Sequence, residues 1–291
     1  MNGLLVLDKP SGMTSHDVVA IVRRATAERS IGHLGTLDPM ATGVLPLLLG
    51  RYTRLAQFFG QSDKSYEGRI RFGFATDTFD AEGEPTTPVQ PLQLPLDELK
   101  QIATRFHGEM DQVPPVYSAK KINGVPAHKL ARSGADVPIK PARITIHDFQ
   151  LLALNDDQAT FTMKVSAGGY VRSVANELGQ FAGCGAHLSA LRRTQVGPFT
   201  LQHAIMIDEL KTLPTPGAIE ARLQHPRTLL PEMPNVTVDE QTAGRIRNGM
   251  QVNLPEFSQA SLIKVFTAPT ELLAVTRRVA GTLMQPIVVM G

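Results

Sequence analysis

The sequence predicts a mixed α+β protein, and three observations carry that reading. Strand-like alternation and helix-like spacing are interleaved along the chain, without the regular βαβ alternation of a doubly wound sheet. The 291 residues are 42% hydrophobic, enough to pack one large domain and a small one. The texture changes near Gly197, after which the links "PTPG" and "PEMPN" precede short strands. The expected division is a first domain over residues 1–230 and a smaller, mostly β module over 231–291.

Taken in order, "GLLVLDKPSG" reads as a short strand running into a turn. "TSHDVVAIVRRATA" follows as a helix that Thr14 or Ser15 can cap, with Val18, Ile21 and Val22 at helical spacing. The aliphatic "VLPLLLG" reads as a buried core segment. In "YEGRIRFGFATDT", Tyr66, Ile70, Phe72 and Phe74 share one strand face, and Glu67, Arg69 and Arg71 share the other. A polar, acidic loop over 76–91 leads to the amphipathic helix "LPLDELKQIATRFHG", built on Leu99, Ile102 and Phe106 and closed by Gly108. "QVPPVYSAKKINGVPAHKLARSG" is basic and rich in turns. "ATFTMKVSAGG" alternates through Phe161, Met163 and Val165, and its Gly-Gly turn opens the helix "YVRSVANELGQFAG". From Asn235 one short helix and strands such as "ELLAVTRRV" and "QPIVVM" make up the small module.

Several chemistries lose their signatures. The single cysteine, Cys184, forms no disulfide framework and no cysteine metal site. The eight histidines never fall as HxH or HExxH, and GxxxxGK(S/T), a post-strand GxGxxG and GxSxG are all missing. No cofactor and no metal are expected. The opening apolar run is too short for a signal peptide, and nothing approaches the roughly 18 apolar residues of a membrane span. The expected compartment is therefore the cytoplasm, without a membrane partner.

Net charge is only +2, but the charges are segregated. Arg23, Arg24, Arg29, Arg51 and Arg54 face only Glu28 and Asp38 between residues 20 and 60. Lys120, Lys121, Lys129, Lys140, Arg132 and Arg143 face only Asp136 between residues 117 and 145. Two basic patches point to a polyanionic partner on one face, although ordinary solvated surface fits charge alone equally well. The one acidic residue between Glu28 and Asp63 is Asp38, in "GHLGTLDPMATG". Pro39 pushes it toward extended geometry at a loop tip, and small neighbours let a ligand or another backbone approach. An Asp-Pro turn with a purely structural role is the simpler account of Asp38 alone.

Four ordered motifs change that balance. Lys9, Pro10, Gly12, Thr14 and Ser15 give KPxGxTS, and residues 32–43 give GHxGTLDPxATG in full. Lys64, Tyr66, Phe72, Gly73, Thr76, Thr78, Asp80 and Gly83 form a third pattern, and "GGYVRS" a fourth. Together they resemble the TruB family of tRNA pseudouridine synthases, densely over residues 3–200. The resemblance implies a largely antiparallel central sheet flanked by helices, with a small β-rich PUA-like RNA-binding domain, short or divergent, at the C-terminal end. It also implies isomerisation of uridine to pseudouridine at position 55 in the tRNA T-loop, without a cofactor and without an obligatory protein partner, by a protein that is a monomer.

By family position Asp38 is the nucleophile, Arg172 its cationic partner, and Tyr66 a residue that stacks on uracil and can take the C5 proton. Tyr170 and Leu191 line the substrate pocket, and His33 contacts the T-loop near the flipped base. Lys9 and Pro10 support the catalytic loop. His128 stands where many relatives have tyrosine, a departure outside the catalytic set. Whether Asp38 attacks C1′, adds to C6 or abstracts a C2′ proton stays open. A non-catalytic tRNA-binding or folding protein on this scaffold is the alternative from another class; it has no need for a carboxylate facing a polyanion. A glycoside hydrolase built on Asp38 lacks an identifiable second carboxylate.

Overall fold

The structure is a computed structural model that describes residues 1–118, 121–122, 125–127, 130, 140–213 and 215–290. Its first half is organised by strands β1 (Gly3–Lys9), β2 (Ile31–His33), β3 (Thr42–Leu49), β4 (Lys64–Phe72) and β5 (Gly108–Gln112). A two-residue ribbon, β6 (Lys121–Ile122) with β7 (Val125–Pro126), stands apart from them. The long hairpin β8 (Ala142–Asn155) and β9 (Gln158–Val165) follows, then β10 (Ala186–Val196), β11 (Phe199–Thr200) and β12 (Ile205–Met206).

Among the described residues these strands make one ten-stranded sheet in the order β12-β1-β3-β10-β4-β9-β8-β5, with β2 on β3 and β11 on β10. Only β1 with β12 and β3 with β10 run parallel, so the sheet is mixed and mostly antiparallel. Helices α1 (Ser15–Thr26), α2 (Leu96–Ala103) and α3 (Val171–Phe181) pack on one face through Val18, Val22, Leu99, Val174 and Leu178, which are buried with Leu5, Leu47, Ile70 and Phe161. Burial of such side chains supplies roughly 1.5–3 kcal/mol each.

Local chemistry explains the element ends. Thr14 is the cap of α1: its hydroxyl accepts from the Asp17 amide while the Asp17 carboxylate accepts from the Thr14 amide. Ser15 is thereby free for another task. Gly108 does not close α2. That helix ends at Ala103, a 3₁₀ turn carries Thr104–Phe106, and Gly108 at φ +90° opens β5 instead. Phe74 lies beyond the end of β4 and stacks on His187 at 4.6 Å, so only Tyr66, Ile70 and Phe72 hold the shared strand face.

The C-terminal module is a five-stranded sheet in the order β13 (Asn235–Thr237), β15 (Leu262–Ala268), β16 (Glu271–Ala280), β17 (Leu283–Val289) and β14 (Val252–Asn253), with helix α4 (Glu240–Arg247) beside it. It is not packed alone. Phe266, Leu272, Val275 and Val288 share one apolar cluster with Leu4, Val6, Val44 and Leu48 of the first sheet and with Tyr52 just after β3. Arg51 and Arg54 donate to the carbonyls of Met290 and Val289, so two arginines of the first basic patch serve this junction. Among the described residues no helix is long and apolar enough to cross a membrane.

Candidate active site

The loop carrying Asp38 joins β2 to β3, and the first motif wraps around it. The Lys9 ammonium, fully buried, donates to the carbonyls of Pro10 at 2.9 Å, Met13 at 2.6 Å and Pro39 at 3.2 Å. The Gly12 amide also reaches the Pro39 carbonyl, at 2.9 Å. Ser15 both accepts from the Leu37 amide, at 2.9 Å, and donates to the Leu37 carbonyl, at 3.2 Å. Residues on both sides of Asp38 are thus held by hydrogen bonds from a separate segment. Burial pushes the Lys9 ammonium down to about 8, with Asp38 pulling the other way.

Arg172 reaches this loop from the first turn of α3. Its Nε lies 3.0 Å from one Asp38 oxygen and a terminal nitrogen 3.2 Å from the other, a side-on bidentate pair. The remaining donors go to the Thr78 carbonyl at 3.0 Å, Asp80 at 3.3 Å and the Tyr117 carbonyl at 2.8 Å. Asp80 is in turn fixed by Thr78, whose hydroxyl donates to it at 2.6 Å, and by the Glu82 amide at 3.0 Å. The third motif therefore forms a second wall that orients the arginine. Burial pushes the Asp38 carboxyl above the ordinary aspartate range, the Arg172 guanidinium opposes that rise, and Asp80 adds to it.

Asp38 opens onto a cleft of about 470 Å³ lined by Tyr66, Tyr170, Arg172, Leu191 and Arg193, among others. The Asp38 side chain is 34% exposed there, against 5% for Arg172. Tyr66 is buried on β4, and burial pushes its phenol up while the Arg193 guanidinium opposes. Tyr170 caps α3; its amide and carbonyl are clasped by the Gln112 side chain at 2.7 and 3.0 Å. Leu191 comes from β10. Five of the six expected site residues therefore meet in one cleft.

His33 is not among the residues lining it. It ends β2, edge-on to His16 at 6.4 Å, and its buried Nδ1 meets no hydrogen-bond partner among the described residues. His128, with Lys120, Lys129, Arg132 and Asp136, lies outside the described residues. Among those described, no group of three or more His, Cys, Asp or Glu side chains could hold a metal ion. A wider groove of about 560 Å³ covers the opposite sheet face over Glu67, Arg69, Thr160 and Thr162, but holds neither Asp38 nor Arg172.

Arg193 and Asp80 were not assigned roles from the sequence, although Asp80 falls within the third motif. Arg193 is 1% exposed, and its Nε and terminal nitrogens hold the carbonyls of Val44, Thr36 and Gly35. Gly43, at φ +103°, allows β10 to pass: a Cβ there would lie 2.9 Å from the Arg193 carbonyl carbon.

The sheet order and the position of the cleft place this protein among the pseudouridine synthase folds. A solved structure described as "Structure of H/ACA RNP bound to a substrate RNA containing 2'-deoxyuridine" superposes with a TM-score of 0.71 over 99% of this chain and 85% of that one, at 23% identity. Residues 23–171 match the TruB family pseudouridylate synthase (N terminal domain), and residues 172–224 match the tRNA pseudouridylate synthase B C-terminal domain. The "tRNA pseudouridine synthase B" of Solibacter usitatus is 43% identical over all of both chains. That of Symbiobacterium thermophilum is 45% identical over 86% of this chain and 83% of its own. The chain belongs to the TruB family.

Proposed function

We propose that this chain converts uridine to pseudouridine at position 55 in the T-loop of tRNA. The observation that carries the reading is Asp38, held on both oxygens by Arg172 at the mouth of a nucleoside-sized cleft. Sites for small ligands occupy roughly 300–1,000 Å³, so this cleft takes one extruded nucleoside and not a duplex. The reaction breaks the N1–C1′ bond, turns the detached uracil and joins C5 to C1′. A nearby carboxylate stabilises or traps the cation-like sugar, as in glycosidases. The base is retained and reattached, so no second carboxyl is needed to protonate a departing alcohol.

Asp38 acts as nucleophile, and Arg172 opposes the tendency of burial to protonate it. Tyr66 stacks on the uracil and takes the C5 proton, while Tyr170 and Leu191 shape the pocket around the base. His33, outside the cleft on β2, contacts the T-loop beside the vacated position. The exposed Arg23, Arg24 and Arg29 contribute phosphate contacts, and the PUA-like module grips the acceptor side of the tRNA. The protein acts as a cytoplasmic monomer without an obligatory protein partner.

The test is to incubate purified protein with unmodified tRNA transcript and map pseudouridine. Wild type is expected to modify position 55, and Asp38→Asn to bind the tRNA without forming product. Product in Asp38→Asn, or none in wild type, overturns the assignment.

A further inference from the structure

One buried cation in the cleft makes no ion pair among the described residues. Arg193 is 1% exposed, and among the described residues no acidic side chain forms an ion pair with it, whereas Arg172 has both Asp38 and Asp80. Its bonds to the carbonyls of Val44 at 2.8 Å, Gly35 at 3.0 Å and Thr36 at 3.4 Å satisfy donors without neutralising charge. Burying a guanidinium on neutral partners is costly. A neutral donor such as glutamine would tie β10 to the loop at a lower desolvation cost.

The charge sits across the strand from Tyr66. Arg193 on β10 and Tyr66 on β4 are direct partners in the antiparallel register, and both line the cleft. Directly opposed residues place their Cβ atoms roughly 5 Å apart on one face. The two side chains lie close enough for each charge to act on the other. Arginine is a donor only, so toward this guanidinium the Tyr66 oxygen can act only as an acceptor.

We propose that Arg193 is a positioning residue for the final proton transfer: it holds the Tyr66 oxygen toward C5 of the rearranged base and stabilises the phenolate that takes the proton. The inference rests on the reading of the cleft given above. In the step, the phenolate oxygen bonds to the hydrogen on C5, and the C5–H electron pair closes the C5=C6 double bond. The former N1=C6 pair moves onto N1, which takes a proton from water, and the phenol later returns its proton to the hydroxide so formed. Burial pushes the Tyr66 phenol up and Asp38 adds to the rise, while Arg193 is the first of the groups opposing it.

Single-turnover rates on tRNA carrying uridine or 5-deuterouridine at the target test this in wild type, Tyr66→Phe, Arg193→Lys, Arg193→Gln and the double variant Tyr66→Phe/Arg193→Gln. Arg193→Gln is expected to slow the reaction about 100-fold, as for loss of one preorganised donor to developing charge. Its deuterium effect should exceed that of wild type, because C5 deprotonation becomes the slow step. Arg193→Lys keeps the charge and should fall between in both readouts. Arg193→Gln should cost little more once Tyr66→Phe is present. A slower Arg193→Gln with the wild-type isotope effect, or losses that multiply in the double variant, would overturn the proposal and leave Arg193 a structural tie. Should Arg193→Gln not fold, the isotope effect of Arg193→Lys decides in the same way. Absence of product in wild type would sink the reading of the cleft itself, so the two failures are distinguishable.

Discussion

Lysine at position 172 keeps the charge and removes the fork. Arg172 makes five polar contacts: an ion-pair contact from Nε to Asp38 at 3.0 Å, and hydrogen bonds to Asp38 at 3.2 Å, Asp80 at 3.3 Å, Thr78 at 3.0 Å and Tyr117 at 2.8 Å. A lysine ammonium has three donors on a flexible stem, so at least two of these acceptors lose their partner. Hydrogen bonds to charged groups contribute about 1.5–3 kcal/mol and neutral ones about 1 kcal/mol, giving a loss of about 2–5 kcal/mol for Arg172→Lys. At about 2–4 °C per kcal/mol for a chain of this size, Tm should fall by about 4–20 °C. The activity loss should be larger in proportion, since an approximately 1 Å misplacement of a reacting group costs about 100-fold. Thermal melts and single-turnover pseudouridine formation with enzyme in excess measure the two. An unchanged Tm with turnover within about threefold of wild type would refute the reasoning, because it would mean the five contacts carry little weight.

Two further predictions follow from the same geometry. Gly43→Ala places a Cβ 2.9 Å from the Arg193 carbonyl carbon at a φ of +103°, so a loss of about 3 kcal/mol or more is expected; a lowered urea midpoint at constant m is the readout, and an unchanged midpoint contradicts the tight β3–β10 crossing. Burial and Asp80 raise the Asp38 pKa above 3.8, so single-turnover rates should fall with acid through a value above the ordinary one, and Asp80→Asn should move that limb to lower pH. An acid raised in the folded state binds its proton more tightly there than when unfolded. The stability of wild type relative to Asp38→Asn should therefore rise as pH falls through the folded value.

The parts legible in the sequence were those where one local rule acts alone. Helix α1 followed from its spacing and capping residues, and β4 and β9 from clean alternation. The strands β8 and β10 were missed because bulges reset their phase. In β8 the buried positions run Ile144, Ile146, then Phe149 and Leu151, with the register shifting between Ile146 and Asp148. In β10 shifts fall between Leu188 and Ala190 and again between Arg193 and Gln195, so "AHLSALRRTQV" shows no steady period of two. Asp38 stood out first as a lone carboxylate, but its expected role, like those of Tyr66 and Arg172, came from the family motifs. Arg193 stayed hidden because its meaning lies in a cross-strand neighbour 127 positions earlier, which no local pattern encodes.

Strand β10 fills the slot between β3 and β4, and that placement bears on how the enzyme comes into being at the ribosome. Synthesis proceeds from the N-terminal end, so the acid at position 38 emerges long before the strand that completes its socket. Until residues 186–196 arrive, two neighbouring backbone edges stand unpaired and open to wrong partners. A nascent chain halted in that interval carries the whole acid motif yet has nowhere to seat a nucleotide.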